Sequence, residues 1–208
     1  MKHALLLGCG SSNGSAIVEA LIDRGFTITN VGSSEYQHDM VQNIKINWKK
    51  LDIEAVHRIF SKFEVVFDFV FFNHNSSSLA LGDFDIKNAK TLKNWRLVKD
   101  WTQSQWLSSQ LPFLVLHTIR NNLNKESKVG WMLSGYIDHN NQSSILYPDY
   151  SSYKYFNYLA MKCFGQANEF QTFGIYPDFK SIDSQLKLKA IVDQIVTADQ
   201  LERQDFKF

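Results

Sequence analysis

Leu7-Gly8-Cys9-Gly10-Ser11-Ser12-Asn13-Gly14-Ser15-Ala16-Ile17 joins an apolar run at 4–7 to a segment in which Ile17, Val18, Leu21 and Ile22 recur at helical spacing. A strand, a glycine-rich turn and a helix in that order form a site where backbone can approach a pyrophosphate. The helix N-terminus adds unpaired N–H groups and partial positive charge. Gly8, Gly10 and Gly14 stand where such a turn needs them, and Ser11, Ser12 and Asn13 lie between. No Lys-Ser or Lys-Thr pair follows, so a nucleoside-triphosphate loop is disfavoured. The competing reading is a tight turn with no ligand.

Outward from this turn, short apolar runs alternate with helical patterns. Strands are expected at 26–31, 44–48, 65–72, 128–133 and 171–176, with helices at 51–63, 92–123 (kinked near Pro112), 150–170 and 181–203. Residues 73–92 and 135–149 read as loops. Gly25 is placed to end the first helix, and the dense run at 65–72 suits a central strand covered on both faces. No repeat or linker interrupts the pattern. Alternation at this pitch predicts an α/β fold, a doubly wound parallel sheet of Rossmann type, as a single domain over residues 1–208.

Composition narrows the function. The 208 residues carry 22 Lys+Arg against 21 Asp+Glu, a formal charge of +1, so there is no basic field for nucleic acid. No apolar run approaches the roughly 20 residues that cross a membrane. Cys9 and Cys163 can build neither a disulfide framework nor a metal site. Leu6-Leu7-Gly8-Cys9 imitates a lipoprotein leader, but its apolar segment is far shorter than the roughly 7–15 residues of a signal. The expectation is a cytoplasmic protein with a small-molecule ligand, no nucleic acid and no membrane.

Tyr and Lys four apart share a helix face, where the ammonium favours the phenolate and makes the tyrosine a usable proton donor. Three pairs satisfy the spacing: Tyr150 with Lys154, Tyr158 with Lys162 and Tyr176 with Lys180. Tyr150 opens a helix after a loop that follows the fifth strand. Tyr158 lies two turns deeper, and Pro177 prevents Tyr176 from opening a helix with Lys180. Context therefore selects Tyr150 and Lys154. The six histidines show no paired ligand spacing. His74, directly after the fourth strand, is placed to approach a bound ligand. Trp95, Trp101 and Trp106 read as packing residues, and no Gly-x-Ser-x-Gly elbow supports a hydrolase.

These segments together resemble the short-chain dehydrogenase/reductase family over residues 1–180. Gly8 and Gly14 match the outer glycines of its Gly-x-x-x-Gly-x-Gly motif, with Ser12 at the middle one. Tyr150-Ser151-Ser152-Tyr153-Lys154 is similar to its frequent Tyr-Ser-Ala-Ser-Lys. In Asp68-Phe69-Val70-Phe71-Phe72-Asn73-His74-Asn75, Asn73 matches one asparagine of a family motif, and Asn47 stands where the family places an adenine-binding Asp.

The resemblance implies hydride transfer between a nicotinamide dinucleotide and a carbonyl or alcohol. Tyr150 would be the proton donor, Lys154 would bind the nicotinamide ribose, and Ser134 would hold the substrate oxygen. Asn30-Val31-Gly32-Ser33-Ser34 ends the second strand without an acid, which leans to NADP(H) over NAD(H), with Ser33 and Ser34 as contacts. The family's helix asparagine is replaced by Ser108 or Ser109. Tyr153, Phe156, Asn157, Ala160, Met161 and Phe164 form a face that would pair across a two-fold axis as a homodimer, or else pack on the sheet. The short stretch after Tyr176 favours an alternative, a non-catalytic dinucleotide-binding sensor or signalling protein of the same fold.

Overall fold

The computed structural model describes residues 1–74, 102–103, 105–134, 148–167, 170–177, 183–201 and 205–207, with backbone alone at residues 49 and 148–150. Among the described residues, seven strands form one sheet: β1 (Lys2–Leu7), β2 (Phe26–Gly32), β3 (Val41–Lys45), β4 (Phe69–Phe72), β5 (Lys128–Met132), β6 (Gln171–Tyr176) and β7 (Asp205–Lys207). Their order is β3-β2-β1-β4-β5-β6-β7 and every pairing is parallel. This is the doubly wound Rossmann-type sheet. Chain direction across it reverses between β1 and β4, the point where such sheets open a crevice at their carboxyl ends.

Helices cover both faces because the strand side chains are apolar on both. On one side, α1 (Ser12–Asp23) packs against α5 (Ser184–Thr197), burying Ile17, Val18 and Leu21 with Leu188, Val192 and Ile195 over Leu6, Phe69 and Phe71. On the other lie α2 (Ile53–Phe60), α3 (Leu111–Thr118) and α4 (Pro148–Gln166), over Leu5, Leu7, Val70 and Trp131.

Several expected boundaries move. β3 spans Val41–Lys45 instead of 44–48, because residues 33–40 return to pair Ile28 with Val41 without an intervening helix. An asparagine staple holds that return: Asn30 donates to the Ser34 carbonyl and to Asn43 (both 2.9 Å), and Asn43 donates to the Tyr36 carbonyl at 3.0 Å. β4 starts at Phe69, leaving Val65 and Val66 exposed outside the sheet. The kink near Pro112 is a π-turn over Trp106–Gln110 preceding α3. The terminal helix ends at Thr197, short of the expected 203, and a further short strand, β7, lies beyond it.

The expected loop over 75–92, the helix start over 92–101 (with Trp95 and Trp101), most of the 135–149 loop, and Lys180 fall outside the described residues. Trp106 does pack inward, its Nε1 donating to the Leu51 carbonyl at 3.1 Å.

Candidate active site

The crevice between β1 and β4 is closed from below by one residue. Asn73, immediately after β4, donates from Nδ2 to the Gly8 carbonyl at 2.7 Å and to Ser11 Oγ at 3.1 Å. It thereby fixes the turn after β1 against the neighbouring strand. Ser11 caps α1 by accepting from the Gly14 N–H at 3.2 Å.

The glycines are required by the space. Gly8 has φ +92°, a conformation disfavoured for other residues. A Cβ on Gly10 would lie 2.5 Å from Ser34 Oγ, and one on Gly14 would lie 2.6 Å from the Cys9 backbone. Above this floor, Gly8, Cys9, Gly10, Ser11, Gly32, Ser33, Ser34, Trp48, Asn73 and His74 line a cavity of about 290 Å³. Close backbone and a helix N-terminus in this cradle fit the pyrophosphate of a dinucleotide, and no acid stands among the residues lining it. Ser12 and Asn13 open α1 outside this lining, and Asn47 stands exposed beside Trp48. A larger cavity of about 800 Å³, lined among others by His3, Thr27, Arg58 and Lys62, lies toward the amino ends of the strands, away from the glycine turn.

Trp48 is the wall residue that sequence reading missed. Its ring stacks on His74, with centroids 5.3 Å apart and planes 20° apart. Apolar periodicity had assigned Trp48 to a strand, when it starts a single 3₁₀ turn after β3. His74 Nε2 bonds the Leu107 carbonyl at 2.5 Å, and burial pushes its pKa down to about 4. The ring is therefore neutral at physiological pH, with Nε2 as the donor.

The second half of the site stands on α4 and the end of β5. Ser134, 3% exposed, follows β5. Lys154, also 3% exposed, donates from Nζ to the Met132 carbonyl at 2.6 Å, and burial pushes its pKa down to about 7. Tyr150 is in the first turn of α4, one helical turn before Lys154 and on the same face; its side chain lies outside the described residues. Ser108 and Ser109 are both buried in the π-turn.

The competing Tyr–Lys pairs are occupied elsewhere. Lys162 forms an ion pair with Asp205 of β7 at 3.1 Å, and the Tyr176 hydroxyl donates to the same carboxylate at 3.2 Å. Burial and Asp205 push the Tyr176 pKa upward, the wrong direction for a proton donor at neutral pH.

The proposed pairing face of α4 needs correction. Tyr153, Asn157, Ala160 and Met161 are packed inside the chain, at 5% exposure or less. Phe156 of that face does remain open, beside the exposed Tyr155 and Leu159, with Phe113 of α3 at 5.3 Å from its ring.

Lys154 and His74 are bases whose pKa values are lowered on folding, so the unfolded chain binds more protons and stability rises with pH across each window. For Lys154 that window runs from about pH 7 up to its ordinary value of 10.5. Lys154→Met removes a buried ammonium, so the variant should melt higher than wild type at pH 7, with the difference shrinking toward pH 10. Thermal melts at both pH values check this; a variant that melts lower at pH 7 contradicts it.

No protein-family model and no curated protein sequence matches the chain. Solved structures do. A short-chain dehydrogenase/reductase variant from Serratia marcescens superposes with a TM-score of 0.77 at 13% identity, covering 100% of this chain and 95% of that one. A carbonyl reductase from Pseudomonas aeruginosa gives 0.73 at 14% identity, with 96% and 94% covered. A protein from Burkholderia multivorans, described as a short-chain dehydrogenase/reductase with bound NADP, gives 0.70 at 14% identity, with 92% and 90% covered. The chain has the fold of the short-chain dehydrogenase/reductases.

Proposed function

We propose that this chain is a dinucleotide-dependent oxidoreductase of the short-chain dehydrogenase/reductase type, interconverting a carbonyl and an alcohol on a small molecule. Residues 1–208 act as one dinucleotide-binding domain. The observation that carries the reading is the pairing of a glycine cradle at the β1–β4 crevice with a buried lysine one turn after a tyrosine on α4.

A bound nicotinamide dinucleotide supplies or accepts the hydride. Gly8 and Gly14 let its phosphates approach the backbone, Ser11, Ser12 and Asn13 hold them at the α1 terminus, and Asn47, Ser33 and Ser34 receive the adenosine half. Tyr150 holds and moves the proton at its hydroxyl oxygen. Lys154 favours the phenolate and bonds the ribose, and Ser134 orients the reacting oxygen.

Selection of NADP(H) over NAD(H) rests on the end of β2. Lys45, in register with Gly32, is the cation we assign to the 2′-phosphate; its Nζ lies 3.6 Å from the Glu35 carboxylate on an exposed surface and would turn from that partner to the phosphate. Ser33→Asp should reverse the preference by about tenfold, or roughly 1.4 kcal/mol of differential binding. Lys45→Ala should weaken NADPH about two- to fivefold, the size of an exposed ion pair, and leave NADH unchanged. Side-by-side fluorescence titrations measure both. Wild type preferring NADH would remove the NADP(H) assignment.

The homodimer is assigned to the open stripe of Phe113, Tyr155, Phe156 and Leu159. Light scattering at micromolar concentration should give twice the chain mass for wild type and one chain mass for Phe156→Glu. A wild-type mass of one chain counts against pairing.

A further inference from the structure

His74 carries a buried Nδ1 with no hydrogen-bond partner among the described residues. Its Nε2 has the Leu107 carbonyl as acceptor, so Nε2 holds the proton and Nδ1 is a bare lone pair. Leaving a buried acceptor unpaired costs about 1–3 kcal/mol, which calls for a donor that reaches it in another state of the site. Phosphate oxygens only accept, and a neutral imidazole brings no charge to attract them.

The nearest class of donor is set by the sheet. Phe72 pairs with Trp131, so continuing the register places Asn73 beside Met132 and His74 beside Leu133. The Lys154 ammonium is held at the Met132 carbonyl, at the same level of the adjoining strand. Adjacent strands are about 4.8 Å apart, within the sweep of a lysine side chain. Both groups are enclosed, and the helix bearing Lys154 packs on the π-turn bearing Leu107. We propose that His74 is a positioning residue for Lys154: its Nδ1 accepts a hydrogen bond from the ammonium and holds it at the cofactor-facing end of the crevice. Fixed by Leu107 and the Trp48 ring, the imidazole directs one N–H of a cation that has three. The repulsion that Lys154 exerts on protonation of His74 agrees with this proximity. Tyr150 and Tyr158, one turn before and one turn after Lys154, are the ionisable groups at i−4 and i+4 on that helix. The role rests on the oxidoreductase reading, in which Lys154 serves the ribose and Tyr150.

Lysine-selective NMR of the full chain, with the Lys154 signal assigned through Lys154→Arg, reads the bond without cofactor or turnover. His74→Gln keeps a donor for Leu107 and loses the Nδ1 acceptor. His74→Asn keeps an acceptor near the Nδ1 position and loses the Leu107 bond. A bond to the ammonium raises its pKa, so the Lys154 midpoint should fall by about one pH unit in His74→Gln and stay near wild type in His74→Asn. Equal midpoints in wild type and His74→Gln overturn the proposal, as does a His74→Asn midpoint as low as that of His74→Gln.

Imidazole ¹⁵N spectra of wild type and Lys154→Met give a second reading that needs no His74 variant. The Nδ1 resonance should move toward that of a bare acceptor when Lys154 is removed, and an unmoved resonance overturns the proposal. Dinucleotide titration of wild type separates the failures. Binding with unchanged midpoints removes only the positioning role, whereas no binding removes the oxidoreductase reading and this proposal with it.

Discussion

Tyr150→Phe should leave dinucleotide affinity unchanged and lower turnover by roughly 10²–10⁴-fold, the usual worth of general acid–base catalysis. The substitution removes one hydroxyl and keeps the ring, so helix packing and the glycine cradle are untouched. Lys154, one turn later, is buried and anchored at the Met132 carbonyl on β5, so it stays in place when the hydroxyl is removed. Tyr158→Phe and Tyr176→Phe are the controls. Tyr158 precedes a lysine committed to Asp205, and the Tyr176 hydroxyl is itself bound to Asp205, so both variants should retain turnover. The assay is NADPH oxidation over a panel of carbonyl compounds. Should wild type turn over no compound and Tyr150→Phe change no measurable property, the non-catalytic dinucleotide-binding reading takes over.

Gly14→Ala should cost both stability and dinucleotide binding. The new Cβ would meet the Cys9 carbonyl carbon, Cα and oxygen, each at 2.6 Å. These are backbone atoms of the turn itself, so no side chain can swing aside to relieve the contact. Either α1 moves away from β1 or the turn opens. Overpacking of this kind costs about 1–3 kcal/mol. In a chain of this size that is a melting shift of roughly 2–12 °C. A displaced turn also strains the bonds from Asn73 to the Gly8 carbonyl and Ser11 Oγ, so the α1 terminus shifts from its place over the crevice. Calorimetry and NADPH titration measure the two losses. Gly25→Ala is a useful contrast. It also has a positive φ, +74°, but meets nothing within 4 Å and lies far from the crevice, so it should cost stability alone.

Different physical signals made parts of this architecture legible. The glycine turn was readable because its geometry depends on residue type: only a missing Cβ permits those approaches. β6 matched its apolar run at Gln171–Tyr176 because both faces of the strand are covered. Lys154 was readable through helical spacing, which sets its face relative to Tyr150 whatever the tertiary contacts.

What escaped depended on long-range packing. β3 was displaced because its register is set by β2 and by the Asn30–Asn43 contact, which no local pattern encodes. β7 is three residues long, too short for periodicity to announce it, and its place beside β6 is supported by Asp205 reaching Lys162 and Tyr176. The apolar face of α4 was split between core and surface because helical periodicity identifies a stripe but not what covers it. Trp48 read as a strand residue and became a wall of the crevice, since its stacking partner His74 is distant in sequence. The shift in Lys154 comes from enclosure by α4, β5 and their neighbours, which a Tyr-x-x-x-Lys pattern does not contain.

The most direct test of the central claim is a crystal structure of the chain with NADPH. The pyrophosphate should lie over Gly8–Gly14 at the α1 terminus. The Tyr150 and Ser134 hydroxyls should converge within hydrogen-bond reach of one point facing the nicotinamide C4, with Lys154 on the adjoining ribose. A dinucleotide seated away from the glycine turn, or a nicotinamide ring with Tyr150 turned away from C4, would contradict the account.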